Sequence, residues 1–376
     1  MEKGRLLFID NLRIVLVTLV ILVHLSITYG GAGGWYLQGQ ADPFSSAVLT
    51  LFNASSQAFF MGLLFLISGY FTPGSYARKG PRLFLKDRLL RLGIPLVCYD
   101  TVVHPLLCVF LKAVGVYGGE QTIGRYLLSY YTSFHMGRGP LWFVEALLFF
   151  AGGYVLWRRV RGPCHRPRPA RTVRDRHLVI LAVLLGLATF MVRLWRPIGW
   201  AFEPLNLQVP FFVQYITLFI LGILAWHHGW LSGIPARMGR RWLAVGLIAI
   251  VVVLPALFVL GGGPRGKIEA FRGGPHWQSF ALSLWEQTVC VSLMVGLPIW
   301  FRERFNRQSR PARAASDSAY TAYIIHAPVI VVFAVALRAV PLPALPGFIL
   351  AALVTVPLCF SLAHVIRNLP GARRIL

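Results

Sequence analysis

Apolar runs of about 20 residues recur along the chain, separated by short connectors that hold most of its charge. Ten can be bounded: 10 to 30, 46 to 71, 92 to 115, 139 to 157, 177 to 197, 208 to 228, 242 to 261, 277 to 300, 317 to 340 and 342 to 366. At about 1.5 Å of rise per residue each is long enough, as a helix, to cross a hydrocarbon layer of roughly 30 Å. Inside that layer the backbone must satisfy its own hydrogen bonds, so helices are the expected form of all ten. The predicted fold is all-α: a polytopic membrane helical bundle of about ten transmembrane helices. It forms a single domain over 1–376, since no repeat or soluble unit separates from it.

Composition removes the soluble multidomain reading that 376 residues would suggest, because 56% are hydrophobic and 13% charged. A formal net charge of +24 raises nucleic acid as a partner, and the placement of the charge answers it. With a cytoplasmic N-terminus, 28 of the 37 basic residues fall in inside segments, against Arg125, Arg138, Arg196, Arg265, Lys267 and Arg272 in the outside connectors. That asymmetry is the positive-inside pattern; it predicts both termini cytoplasmic, the bilayer as partner and no nucleic acid. The first run, long and with a charged start at Lys3 and Arg5, reads as a retained span of a multi-pass protein. The Arg- and Pro-rich connector from Arg158 to His177 reads as irregular and lipid-facing. Cys98, Cys108, Cys164, Cys290 and Cys359 have no C-x-x-C spacing and read as small core residues, with no metal site expected.

Ionisable residues at bilayer depth are costly and point to function by default. The first run carries Arg13 near its start and His24 eleven residues on, three helical turns later, so the two share a face about 16 Å apart along the axis. Glu145 falls at a depth similar to His24, and Glu286 and His326 fall near mid-membrane. Asp100 and His104, four apart, read as a pair that fixes packing, and any of these groups alone could be a helix-to-helix hydrogen bond. Asp10, Arg13, Lys86, Arg88 and Arg91 gather at the inner ends of two runs. Arg88 and Arg91 lie one turn apart and offer planar forks suited to phosphate, though ordinary positive-inside decoration gives the same pattern. Trp142, Trp277 and Trp300, near run ends, fit an aromatic belt.

Five motifs in chain order carry a resemblance: Ile9-Asp10-Asn11-Leu12-Arg13 with His24; Phe65-Leu66-Ile67-Ser68-Gly69-Tyr70-Phe71; Lys86-Asp87-Arg88-Leu89-Leu90-Arg91-Leu92-Gly93-Ile94-Pro95; Gly139-Pro140-Leu141-Trp142-Phe143-Val144-Glu145; and Ser318 through Tyr320, Tyr323 and His326 to Pro328. With these the chain resembles the acyltransferase 3 family of integral-membrane O-acyltransferases, near its glucan biosynthesis branch. The resemblance implies transfer of an acyl group, commonly acetyl, from cytoplasmic acyl-CoA to a hydroxyl of a carbohydrate or glycosylated acceptor. Acetyl-CoA or succinyl-CoA would be a co-substrate, with no permanently bound cofactor, and the enzyme would lie in the cell membrane. By the same resemblance His24 is the general base and Glu145 orients or charge-stabilises it. Arg13, Arg88 and Arg91, with Lys86 beside them, engage the donor phosphates; Asp10, Ser68, Trp142, Tyr320 and His326 are further pocket candidates. The alternative is a proton-coupled transporter or flippase of a glycan or acylated small molecule, with the intramembrane His and Glu as a relay.

Overall fold

The computed structural model describes residues 5–118, 122–132, 139–162, 172–203 and 205–376. Lys3, Arg138, Cys164 and most of the connector between Arg158 and His177 lie outside the described residues. Within them the chain is helical: α1 (Leu7–Thr28), α2 (Pro43–Gln57), α3 (Phe60–Arg88), α4 (Ile94–Cys98), α5 (His104–Ala113), α6 (Ile123–Thr132), α7 (Trp142–Arg161) and α8 (Asp175–Arg193). There follow α9 (Phe212–His228), α10 (Trp230–Gly233), α11 (Ala236–Ile248), α12 (Leu254–Leu260), α13 (Glu269–Arg272), α14 (Trp277–Arg304), α15 (Arg310–Ala336) and α16 (Ala344–Asn368).

Among the described residues nine stretches are long and apolar enough to cross a membrane, and one of them, Pro43–Ala113, is 71 residues long. It contains two of the predicted runs, 46 to 71 and 92 to 115. The chain folds back between them at Gly80, whose φ of 70° lies in the region that glycine adopts without strain. Across that turn the Tyr76 and Phe84 rings meet at 5.7 Å. The run 46 to 71, predicted as one span, is instead broken into α2 and α3 at Ala58 and Phe59. The physical reason is a side chain from elsewhere: Gln214 of α9 donates to the Ala58 carbonyl at 2.6 Å, replacing a bond of the helix ladder.

Two π-helical turns interrupt the next crossing, Leu89–Gly93 and Tyr99–Val103, and each precedes a proline, Pro95 and Pro105. Proline has no N–H to return to the carbonyl one turn back, so Arg91 and Thr101 each keep a carbonyl available. Tyr320 donates to the Arg91 carbonyl at 2.6 Å and Tyr131 to that of Thr101 at 2.7 Å.

α1 runs through the middle of the bundle, packed against α2, α3, α14, α15 and α16. Its Leu12, Leu16, Ile21 and Leu25 are fully buried. α3 and α9 approach closely where two glycines face backbone. A Cβ on Gly69 would lie 2.1 Å from the Phe219 carbonyl oxygen, and one on Gly222 would lie 2.1 Å from that of Leu66. Small residues permit such contact in a membrane, where no hydrophobic force drives helices together. Gly69→Ala is therefore expected to push α3 from α9 and cost about 1–3 kcal/mol, typical of overpacking. A thermal melt of the purified protein in detergent checks this, and an unchanged midpoint counts against the contact.

Candidate active site

α15 packs along α1, carrying His326 beside His24 and Tyr320 nearer the basic end. At the upper level the His24 Nδ1 is 3.1 Å from the His326 Nε2, and the His326 Nδ1 is 2.5 Å from the Tyr323 carbonyl oxygen. A carbonyl only accepts, so His326 carries its proton on Nδ1 and, as a neutral ring, accepts at Nε2. The proton between the rings then belongs to the His24 Nδ1. In that tautomer the His24 Nε2 keeps its lone pair, the form a general base needs, while a ring N–H of His24 also has the Val20 carbonyl one turn back as an acceptor.

The segment after α1 folds back over this pair. Trp35 stacks on His24 with ring centroids 3.8 Å apart and planes at 25°. The Trp35 indole N–H is buried and has no hydrogen-bond partner among the described residues. Several contacts pin the fold-back: the Asn53 amide donates to the Ala32 carbonyl at 3.0 Å, and Ser46 donates to that of Gly30 at 3.0 Å. Tyr36 Oη lies 2.6 Å from the His104 Nδ1 and 3.1 Å from Tyr99 Oη. Burial raises the Tyr36 phenol well above its ordinary range, so it stays protonated in that network. The hydrogen bonds described for His104 run to Tyr36 and toward Cys108. The partner comes from a distant loop that folds onto the same helix face.

At the basic end of α1 the predicted cations are brought together in part. Arg13 is near enough to Arg88 for the two to repel, and its guanidinium lies 4.9 Å over the Phe71 ring. Arg88 lies over Phe84 at 5.2 Å and makes no ion pair among the described residues. Arg91 is 3.4 Å from Asp87, which also holds Lys79 at 2.9 Å. Tyr320 joins the group through the Arg91 carbonyl freed by Pro95. Lys86 is exposed and no described contact joins it to the cluster. Asp10 pairs with Arg5 at 2.5 Å and Arg13 at 3.6 Å, while Arg5 continues to Asp317 at 2.7 Å. Asn11 donates to the Phe305 and Arg307 carbonyls at 2.7 and 2.9 Å. These contacts fasten the start of α1 to the α14–α15 link and to α15.

The remaining candidates lie on α3, α7 and α14. Glu145 is buried in the first turn of α7, and the side-chain-to-side-chain hydrogen bond described for His24 runs to His326. α7 is held at that end by Tyr323, whose hydroxyl donates to the Pro140 carbonyl. Trp142 stacks on Tyr215 with centroids 5.5 Å apart, inside an aromatic cluster with Phe65 and Phe212. Ser68 is half-buried on α3, one turn before Phe71. Glu286 is buried against Arg193, 2.7 Å away on α8, and Ser283 accepts from the same guanidinium at 3.2 Å. Trp35, Arg193 and Asn11 have no assigned role from spacing alone. For Arg193 the available signal was a lone arginine inside an apolar run. For Trp35 it was an aromatic pair after Gly33-Gly34, directly beyond the histidine-bearing helix.

A protein-family model described as an acyltransferase domain matches residues 6–364. Among curated proteins, glucans biosynthesis protein C of Salmonella schwarzengrund, of Salmonella paratyphi A and of Salmonella typhimurium are each 30% identical to the chain over 259 residues. Each match covers 65% of this chain and 65% of the relative, so the chain spans just under two thirds of the length of these relatives. No solved structure matches.

Proposed function

Because the chain belongs to the acyltransferase 3 family of membrane acyltransferases, we propose that it moves an acyl group, acetyl or succinyl, from acyl-CoA to a hydroxyl of a carbohydrate or glycosylated acceptor. The protein is multi-pass, and we place it in the cell membrane with the Arg13 end cytoplasmic. The observation that supports the reading best is one helix that has Arg13 at one end, where Arg88 of α3 comes close, and, about 16 Å along, an imidazole whose bond to His326 leaves its Nε2 able to accept a proton.

In this scheme Arg13, Arg88 and Arg91 take the donor phosphates, and the flexible arm of the coenzyme carries the thioester toward His24. The His24 Nε2 accepts the proton of the acceptor hydroxyl as its oxygen attacks the thioester carbon. The carbon–sulfur bond then breaks, the acyl group stays on the acceptor oxygen, and the proton passes from His24 to the departing thiolate. The buried Trp35 indole N–H, stacked beside His24, is the donor available to the oxyanion. His326 keeps accepting from the His24 Nδ1 throughout and so holds the ring in one orientation.

Purified protein incubated with labelled acetyl-CoA or succinyl-CoA and glycan acceptors is expected to release free CoA in step with labelled glycan. Glycan movement across vesicles without CoA release would favour the transporter instead. Arg88→Ala is expected to raise the KM for acyl-CoA about 10- to 100-fold, the loss of one charge-assisted contact, with the acceptor KM unchanged. Steady-state kinetics with each substrate varied checks this, and an effect confined to the acceptor removes the phosphate role.

A further inference from the structure

α7 and α9 both pack against α3, and between them lies a cavity of about 400 Å³ lined by apolar and aromatic side chains. Phe150 and Phe219 form its floor, their ring centroids 4.9 Å apart. Gly153 adds no side chain to its α7 wall, and a Cβ there would meet nothing within 4 Å. The groove ends toward the basic end of the bundle at Tyr154 and Trp157. The next residue, Arg158, is 7% exposed, and its guanidinium lies 5.5 Å from the Trp157 ring centroid. Its Nε and Nη2 are buried with no hydrogen-bond partner among the described residues.

Two buried guanidinium N–H positions without an acceptor among the described residues are an expensive arrangement in a protein, and the planar fork matches phosphate geometry. Beside it, exposed Arg159 and Arg161 would attract an anionic membrane surface. We propose that this is a phospholipid site: an anionic lipid of the leaflet at the basic end places its phosphate on Arg158 and one acyl chain in the α7–α9 groove. A soluble anion would account for Arg158 and leave the groove unused. An uncharged lipid tail would account for the groove and leave Arg158 unpaired.

The test is native mass spectrometry of the full chain in detergent, titrated with phosphatidylglycerol or with phosphatidylcholine of the same acyl chains. Phosphatidylglycerol is expected to bind at least about tenfold tighter, as charge-assisted hydrogen bonds predict. Arg158→Gln should abolish that preference, and Gly153→Leu, which fills the groove from an open position, should weaken both lipids. Equal binding of the two lipids by the unaltered protein overturns the proposal, as does an unchanged preference in Arg158→Gln. Gly153→Leu tests the groove even where Arg158→Gln does not fold, and full phosphatidylglycerol affinity in it also overturns the proposal. So does displacement of the lipid by millimolar inorganic phosphate, which would leave a headgroup site without a chain.

Discussion

His24→Ala is expected to lower kcat by about 10²–10⁴, the usual worth of a positioned general base, while the protein inserts and melts as before. The substitution removes the nitrogen left unprotonated by the chain Tyr323 carbonyl, His326, His24 and leaves the arginine cluster intact. The acyl-CoA KM should therefore change little. His326→Leu provides the graded comparison. It deletes the acceptor of the His24 Nδ1–H without touching the base, so the ring loses its fixed orientation. A misplaced catalytic group costs up to about 10²-fold, so activity should fall less than in His24→Ala. His326→Gln, whose amide oxygen can still accept, should recover part of it. Turnover by His24→Ala above a tenth of the unaltered enzyme would sink the catalytic assignment.

The largest expected loss of stability lies elsewhere, at Arg193 and Glu286. Both are buried, 2.7 Å apart, with the Glu286 second oxygen accepting from Gln287 at 3.1 Å. Arg193→Met strands the carboxylate in the bundle, and breaking a buried pair in this way typically costs about 3–5 kcal/mol. The double variant Arg193→Met with Glu286→Leu removes both charges and should regain much of that loss, because pairing in a dry interior roughly offsets desolvation. Apparent melting temperatures of the three proteins in one detergent give the comparison. If the single variant melts like the unaltered protein, the pair does not hold α8 to α14. The expected pattern makes Glu286 a packing residue, although an ionisable group at mid-membrane reads first as functional.

Much of the fold was legible without coordinates. Insertion into hydrocarbon demands long apolar runs with self-satisfied backbones, and that demand is written locally, residue after residue. The runs, the all-helical class and the clustering of arginines at one end follow from it. So does the placing of Arg13 and His24 on one face, because eleven residues make three turns of any regular helix. The break between α2 and α3 was not legible, since the side chain that makes it, Gln214, comes from α9.

The sequence by itself thus determined which residues are chemically able to act and how far apart they stand along one helix. The tertiary structure alone decided what each one touches. His24 meets His326, 302 residues away. Trp35 returns over the imidazole, Tyr320 reaches the carbonyl that Pro95 leaves open, and Arg193 claims Glu286. Such partners depend on how each helix is rotated and how closely it packs, which spacing within a single helix does not encode. The proton's position on His24 is therefore a property of two helices and a folded-back loop together.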